Sequence, residues 1–194
     1  MVFRTPAYWP VGRFVTFEEV THNSLDHALR DTGILLRTEE VKDLLAAHDN
    51  MAAFPDVEPG LDQLARAEDI KPVIFTNGTS DMVSRSVLRS GPLSRHAETF
   101  KDLISVNDIQ KFKPAPEVYN YLAQRVGKAP SEVNHIWLIS SNPFDVAGAL
   151  NVGMKVIWID RPGLGWSDRV APELKPTATV KSLREILDVI RDCT

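Results

Sequence analysis

Apolar residues along the chain change their period near residue 71. From Thr16 the residues Val20, Leu25, Ala28 and Leu29 recur at helical spacing, and Thr16 with Glu19 forms a capping-box signature. Gly33 ends that helix, and Thr38 followed by Glu39-Glu40 starts a second that runs through Val41, Leu44 and Leu45 to about Asn50. Phe54–Val57 is a connection, and Pro59 sits in the first turn of a third helix carrying Leu61, Leu64 and Ala65. Beyond Lys71 short apolar runs take over: Pro72–Thr76, Leu103–Val106, His135–Ile139 and Lys155–Ile159. These read as strands, separated by helices predicted over 81–88, from Pro116 through Val126, and from Asp145 to about Asn151. An amphipathic helix over Leu183–Ile190 closes the chain. Strands alternating with helices of about ten residues predict βαβ units and a parallel sheet, hence an α/β fold. The pattern divides the chain into a helical piece over 1–57 and an α/β core over 58–194. Residues 1–14 set Pro6 and Pro10 among Phe3, Tyr8, Trp9 and Phe14, and read as an extended segment packed on something else.

Composition narrows the class. The 194 residues suit one domain with a small subdomain, 43% are hydrophobic and 25% charged, and the net charge is −4. Lysines and arginines are scattered without a basic stripe, so nucleic acid is not an expected partner. No apolar run approaches the roughly 18–20 residues that span a bilayer, so no membrane partner is expected either. The single cysteine, Cys193, provides no disulfide framework and no thiolate metal site. The start lacks the apolar core of a secretory signal, and a cytoplasmic protein is expected.

Candidate chemistry lies at three strand ends, which parallel topology brings to one carboxyl edge. Thr76-Asn77 emerges from the first strand with Gly78 allowing the turn. Lys113 precedes Pro114-Ala115-Pro116, which stiffens its backbone. Ser140-Ser141-Asn142 ends the third, with Asp145 in the first turn of the following helix. One lysine, several hydroxyls, two amides and a carboxylate make an anion-recognition and proton-handling set. Taken singly these are an ordinary turn, a solvated loop, a cap and a first-turn acid; their order and spacing are far more specific.

In that order, Thr76-Asn77-Gly78, Lys113-Pro114-Ala115-Pro116-Glu117-Val118-Tyr119, and Ser140-Ser141-Asn142-Pro143-Phe144-Asp145, with Gly148 and Trp158-Ile159-Asp160-Arg161 following, resemble the haloacid dehalogenase superfamily. Within it, the pattern is similar to the L-2-haloacid dehalogenase (type II) branch, from about Gly12 to the end. The resemblance implies a Rossmann-like core under a helical cap. It implies that Thr76 and Asn77 bind the substrate carboxylate, that Lys113 contacts the nucleophilic carboxylate, and that Tyr119 belongs to the active site. Ser140, Asn142 and Asp145 then arrange the site and the hydrolytic water. Magnesium-dependent members carry an acidic pair where this chain has Ser140, Ser141 and Asn142. Mg²⁺ takes hard oxygen ligands, usually with a carboxylate, so neither metal nor cofactor is expected. The histidines do not change this, since His22 and His27 are off the i, i+4 spacing and the others are isolated. The expected partner is a small carboxylate-bearing molecule.

One departure bears on turnover. The family pattern begins with a strand ending in Asp-x-x-Gly-Thr, whose Asp is the nucleophile, and this sequence contains no such stretch. The family's cap arginine should lie upstream too, and by the helical piece the chain starts midway through the cap. The expectation is therefore a core without its first central strand, with a gap between the strands ending at Thr76 and Asn142, and a partial cap. Three explanations stand open: a truncated or mis-started gene product, a protein with non-hydrolytic chemistry or substrate binding alone, or another group such as Asp145 taking over as nucleophile or base. Residues 1–11 folding back on the slot, or a second chain filling it as a homodimer, would satisfy the open backbone. Lys113 and Asp145 are expected to pair, because an unpaired buried charge is costly. The turn Arg161–Trp166 is either part of the pocket mouth or an ordinary surface loop.

Overall fold

The computed structural model describes residues 14–49, 51–89, 91–166, 171 and 173–193. The expectations for residues 1–13, including the fold-back of residues 1–11, lie outside the described residues.

Two helices come first, α1 (Phe17–Thr32) and α2 (Thr38–Asp49). The capping box at α1 is formed: Thr16 Oγ1 accepts the Glu19 N–H at 3.2 Å, and the Glu19 carboxylate accepts the Thr16 N–H at 2.8 Å. Gly33 ends α1 in the left-handed region, φ 68°, where a side chain would be strained. No residue of α1 is fully buried. Its link to the core is local: Phe14 and Phe17 pack on the Phe112 ring at 5.0 and 6.1 Å, and Glu18 pairs with Arg85 at 2.8 Å.

The α/β part runs α3 (Val57–Ala65), β1 (Ile74–Thr76), α4 (Ser80–Val83), α5 (Gly91–Ser94), β2 (Leu103–Ser105), α6 (Pro116–Arg125), β3 (Trp137–Ser140), α7 (Pro143–Asn151), β4 (Lys155–Ile159), β5 (Ala178–Val180) and α8 (Ile186–Asp192). All strand pairs are parallel. On β4 the residues Val156 and Trp158 join one core cluster, with Tyr119 and Leu122 of α6 and Val146 and Ala149 of α7. Ile157 and Ile159 join the other, with Leu61 and Leu64 of α3 and Ile186 and Leu187 of α8. That alternation covers both faces of the sheet, as parallel sheets require, and each fully buried aliphatic side chain contributes about 1.5–3 kcal/mol.

Two helices differ in kind from the expectation, and one strand is added. The helix predicted over 81–88 is a single α-turn, Ser80–Val83, that widens into a π-turn over Ser84–Arg89. The helix predicted over 183–190 begins as a 3₁₀ turn at Leu183–Glu185 and becomes α-helical only from Ile186. Pro59 lies in the first turn of α3, as expected, behind Asp56 at the cap position. Strand β5 is an addition: Ala178-Thr179-Val180 is too short to show alternation, and only its register against β4 (Ile157↔Ala178, Ile159↔Val180) makes it a strand.

The strands form two groups, β1-β2 and β3-β4-β5, with no hydrogen-bonded pairing between them. The Ile74 N–H donates to Asp102 O, so Ile74 faces β2, and alternation turns the Phe75 N–H and C=O away from it. The Ile136 C=O accepts from Lys155, which likewise turns Trp137 and Ile139 away from β4. Among the described residues, no strand is hydrogen-bonded to the sides of β1 and β3 that face away from β2 and β4.

Candidate active site

Each predicted residue reaches the carboxyl edge of the strands by a separate local device. At the end of β1 the Gly78 N–H donates to Thr76 Oγ1 at 2.9 Å, closing a small turn. Asn77 Oδ1 accepts the Lys113 backbone N–H at 2.9 Å, so the amide ties the lysine loop to β1. The Lys113–Pro114 peptide is cis.

Lys113 is not a solvated loop lysine. Only 6% of it is exposed, and its ammonium is hydrogen-bonded twice: to the Phe75 carbonyl at 2.8 Å and to Asp145 Oδ2 at 3.2 Å. It also lies 4.0 Å from the centre of the Phe75 ring. The carbonyl that β1 turns away from β2 is thus satisfied by an ammonium instead of by a strand. Burial strips water from this ammonium and pulls its pKa below the ordinary lysine value, while the charge and hydrogen bond of Asp145 push it back up.

Asp145 enters as the third helical residue of α7, behind Asn142 and Pro143. Its other oxygen, Oδ1, accepts the Tyr119 phenol at 2.8 Å, and the same phenol lies 3.2 Å from the Asp145 backbone carbonyl. Burial, then the neighbouring Asp145 carboxylate, hold the Tyr119 hydroxyl protonated far above the usual tyrosine range. Lys113, Asp145 and Tyr119 form one connected, buried network, as expected for the lysine and the aspartate.

Ser140 and Asn142 stand apart from it. Ser140 Oγ accepts the Asn142 N–H at 3.1 Å and shapes the entry to α7, whereas Asn142 itself is exposed and its side chain makes no cap bond. Among the described residues no group of three His, Cys, Asp or Glu side chains could hold a metal ion. Both oxygens of the one buried acid at this edge beside Lys113 are already occupied by Lys113 and Tyr119.

Two contributors escaped sequence reasoning. Ser105, at the end of β2 and 1% exposed, donates its hydroxyl to the Gly78 carbonyl at 2.7 Å and accepts the Asn107 N–H, so it pins the turn that carries Asn77. A hydroxyl ending a strand next to Thr76 was the available signal. Asp56 receives both forks of Arg161, each at 3.0 Å, and the Leu183 N–H at 2.8 Å, joining the start of α3 to the loop after β4. Burial raises the Asp56 pKa, but the hydrogen bonds and charge of Arg161 and the Leu183 N–H outweigh it and leave it lowered. Residues 162–165 of the Arg161–Trp166 turn are exposed, while Trp166 packs edge-to-face on Trp158 at 5.0 Å.

A parallel α/β core gathers a lysine, a carboxylate and hydroxyls at its carboxyl strand ends, where such sheets bind their ligands. A family description of haloacid dehalogenase-like hydrolases matches residues 8–153, and the chain belongs to that family. It is 33% identical over 177 residues to (S)-2-haloacid dehalogenase 1 of Pseudomonas sp. (strain CBS-3), covering 91% of this chain and 74% of that one. With (S)-2-haloacid dehalogenase of Pseudomonas fluorescens the identity is 32% over 176 residues, 91% and 73% of the two chains. The crystal structure of L-2-haloacid dehalogenase from Xanthobacter autotrophicus superimposes with a TM-score of 0.80 at 26% identity, covering 98% of this chain and 84% of that one. No helix among the described residues is long and apolar enough to cross a membrane.

Proposed function

We propose that the site binds a small 2-substituted carboxylic acid and belongs to a metal-independent, cytoplasmic carbon–halide hydrolase. The observation that carries the reading is the buried Lys113–Asp145–Tyr119 network beside Asn77. Thr76 and Asn77 serve the substrate carboxylate, and Lys113 supplies the fixed positive charge. Ser140 and Asn142 shape the strand end, and Asp145 with Tyr119 handles protons. The names of the relatives, (S)-2-haloacid dehalogenases, support this substrate class. A division into a partial helical cap over 1–57 and a core over 58–194 fits the reading, with substrate entering between the two pieces.

Hydrolysis by the family route needs a carboxylate that attacks carbon, and the sequence holds no Asp-x-x-Gly-Thr stretch to supply it. We therefore propose impaired or altered turnover for this chain taken alone. The second reading is a binding module that keeps the carboxylate site without turnover, and it is favoured by Lys113 already being held by Asp145 and the Phe75 carbonyl.

The test is halide release from (S)-2-chloropropionate, with calorimetric binding alongside, on this chain and on a version extended by an N-terminal Asp-x-x-Gly-Thr strand. Binding by both and release by the extended version alone is the expected result. If neither version binds 2-chloropropionate, the reading fails. Equal release by both would instead make a residue of this chain the nucleophile or base.

A further inference from the structure

Gly148 sits three residues after Asp145 on α7, on the same side of the helix, and is buried. A helix-interior glycine weakens a helix relative to alanine, and its dihedral freedom is not used here, because its φ is not positive. The reason for a glycine is steric. A β-carbon at Gly148 would stand 2.4 Å from the Tyr119 hydroxyl oxygen and 2.7 Å from ring atoms Cε2 and Cζ. Tyr119 has no room to retreat: it is 0% exposed and packs edge-on against Phe75 with ring centres 5.7 Å apart. Interiors are packed too densely to absorb an overlap of that size without moving the ring.

We infer that Gly148 is a positioning residue, whose missing side chain seats the Tyr119 phenol against Asp145 and so holds that carboxylate opposite Lys113. The inference rests on the Lys113–Asp145–Tyr119 network being the working site, but its test does not depend on turnover. The protein carries three tyrosines, which makes tyrosine labelled with ¹³C at Cζ a readable probe. The Tyr119 signal is the one lost in Tyr119→Phe. In the unaltered chain it stays at the neutral-phenol position as pH rises through about 10, where an ordinary tyrosine ionises. In Gly148→Ala it is expected to move with pH, with a midpoint near that ordinary value.

A folded Gly148→Ala protein whose Tyr119 signal does not move overturns the inference. If Gly148→Ala does not fold, the variant is combined with Tyr119→Leu, which removes the atoms in the way. Recovery of cooperative urea unfolding in the double variant supports the inference. A double variant as unfolded as the single one overturns it, since the glycine would then serve helix packing and not the phenol. Failure of this test leaves the proposed substrate class untouched, and failure of 2-chloropropionate binding leaves the Tyr119 seating untouched.

Discussion

Lys113 Nζ lies 3.2 Å from Asp145 Oδ2, with 7% and 8% of the two side chains exposed. The partners are 32 residues apart in sequence. An ion pair this dry gains little over an apolar pair of equal volume, because both charges have lost their water, but each partner is indispensable to the other.

Lys113→Met is therefore expected to cost about 3–5 kcal/mol in urea unfolding, since Asp145 is left charged, buried and without its cation. Lys113→Met combined with Asp145→Leu should cost clearly less than the sum of the single changes. Additive losses would show that the two side chains do not act as a pair.

The Asp56 clamp predicts a particular acid limb. Its pKa is lower folded than unfolded, so the folded state binds fewer protons than the unfolded one as pH falls below the ordinary aspartate value of about 3.9. The stabilisation is thus fully present above that value and is lost as pH falls through the folded pKa. Asp56→Asn should cost about 1–3 kcal/mol at neutral pH, with the difference from the unaltered chain shrinking below about pH 4. Denaturant midpoints measured from pH 2.5 to 7 check the sign.

Ser105→Ala removes the buried hydroxyl that holds the Gly78 carbonyl and the Asn107 N–H. A loss of about 1–3 kcal/mol is expected, together with weaker 2-chloropropionate binding as the turn carrying Asn77 loosens. Ser105→Thr, which keeps the hydroxyl, should retain most of the binding. Calorimetry of the pair separates loss of the hydroxyl from general damage at β2.

Magnesium and chelators should leave both stability and ligand binding unchanged. The strand end offers Ser140, Ser141 and Asn142 in place of carboxylates, and Asp145 is committed to Lys113 and Tyr119. A thermal midpoint that rises with added Mg²⁺ would contradict this, because binding to the folded state alone must raise it.

Much of the fold and site is legible in the sequence. Short apolar runs over Pro72–Thr76, Leu103–Val106 and His135–Ile139 mark strands, because a segment buried on both faces needs continuous apolar side chains and its end is where polar groups re-emerge. The capping box at Thr16 and the glycine at Gly33 fixed the limits of α1, since orphaned backbone groups there find partners within a few residues. The Lys113–Tyr119 and Ser140–Asp145 stretches carried the family through side-chain type and spacing. Helix 81–88 is legible as helical, but its periodicity does not distinguish an α-turn from the π-turn that follows it. Ser105 is not legible as a site residue because its partner, Gly78, lies in the turn after another strand.

The sequence by itself determined which residues end the strands, which helices carry apolar faces, and which polar groups are available at the carboxyl edge, because those depend on local propensity and periodicity. Only the tertiary structure decided that Tyr119 takes the oxygen of Asp145 that Lys113 leaves free, that the Phe75 carbonyl is met by an ammonium, that Asp56 grips Arg161 from 105 residues away, and that Ala178–Val180 is a strand. Those contacts are set by the packing of distant segments, where burial removes water and forces each polar group onto whichever partner the fold brings within reach.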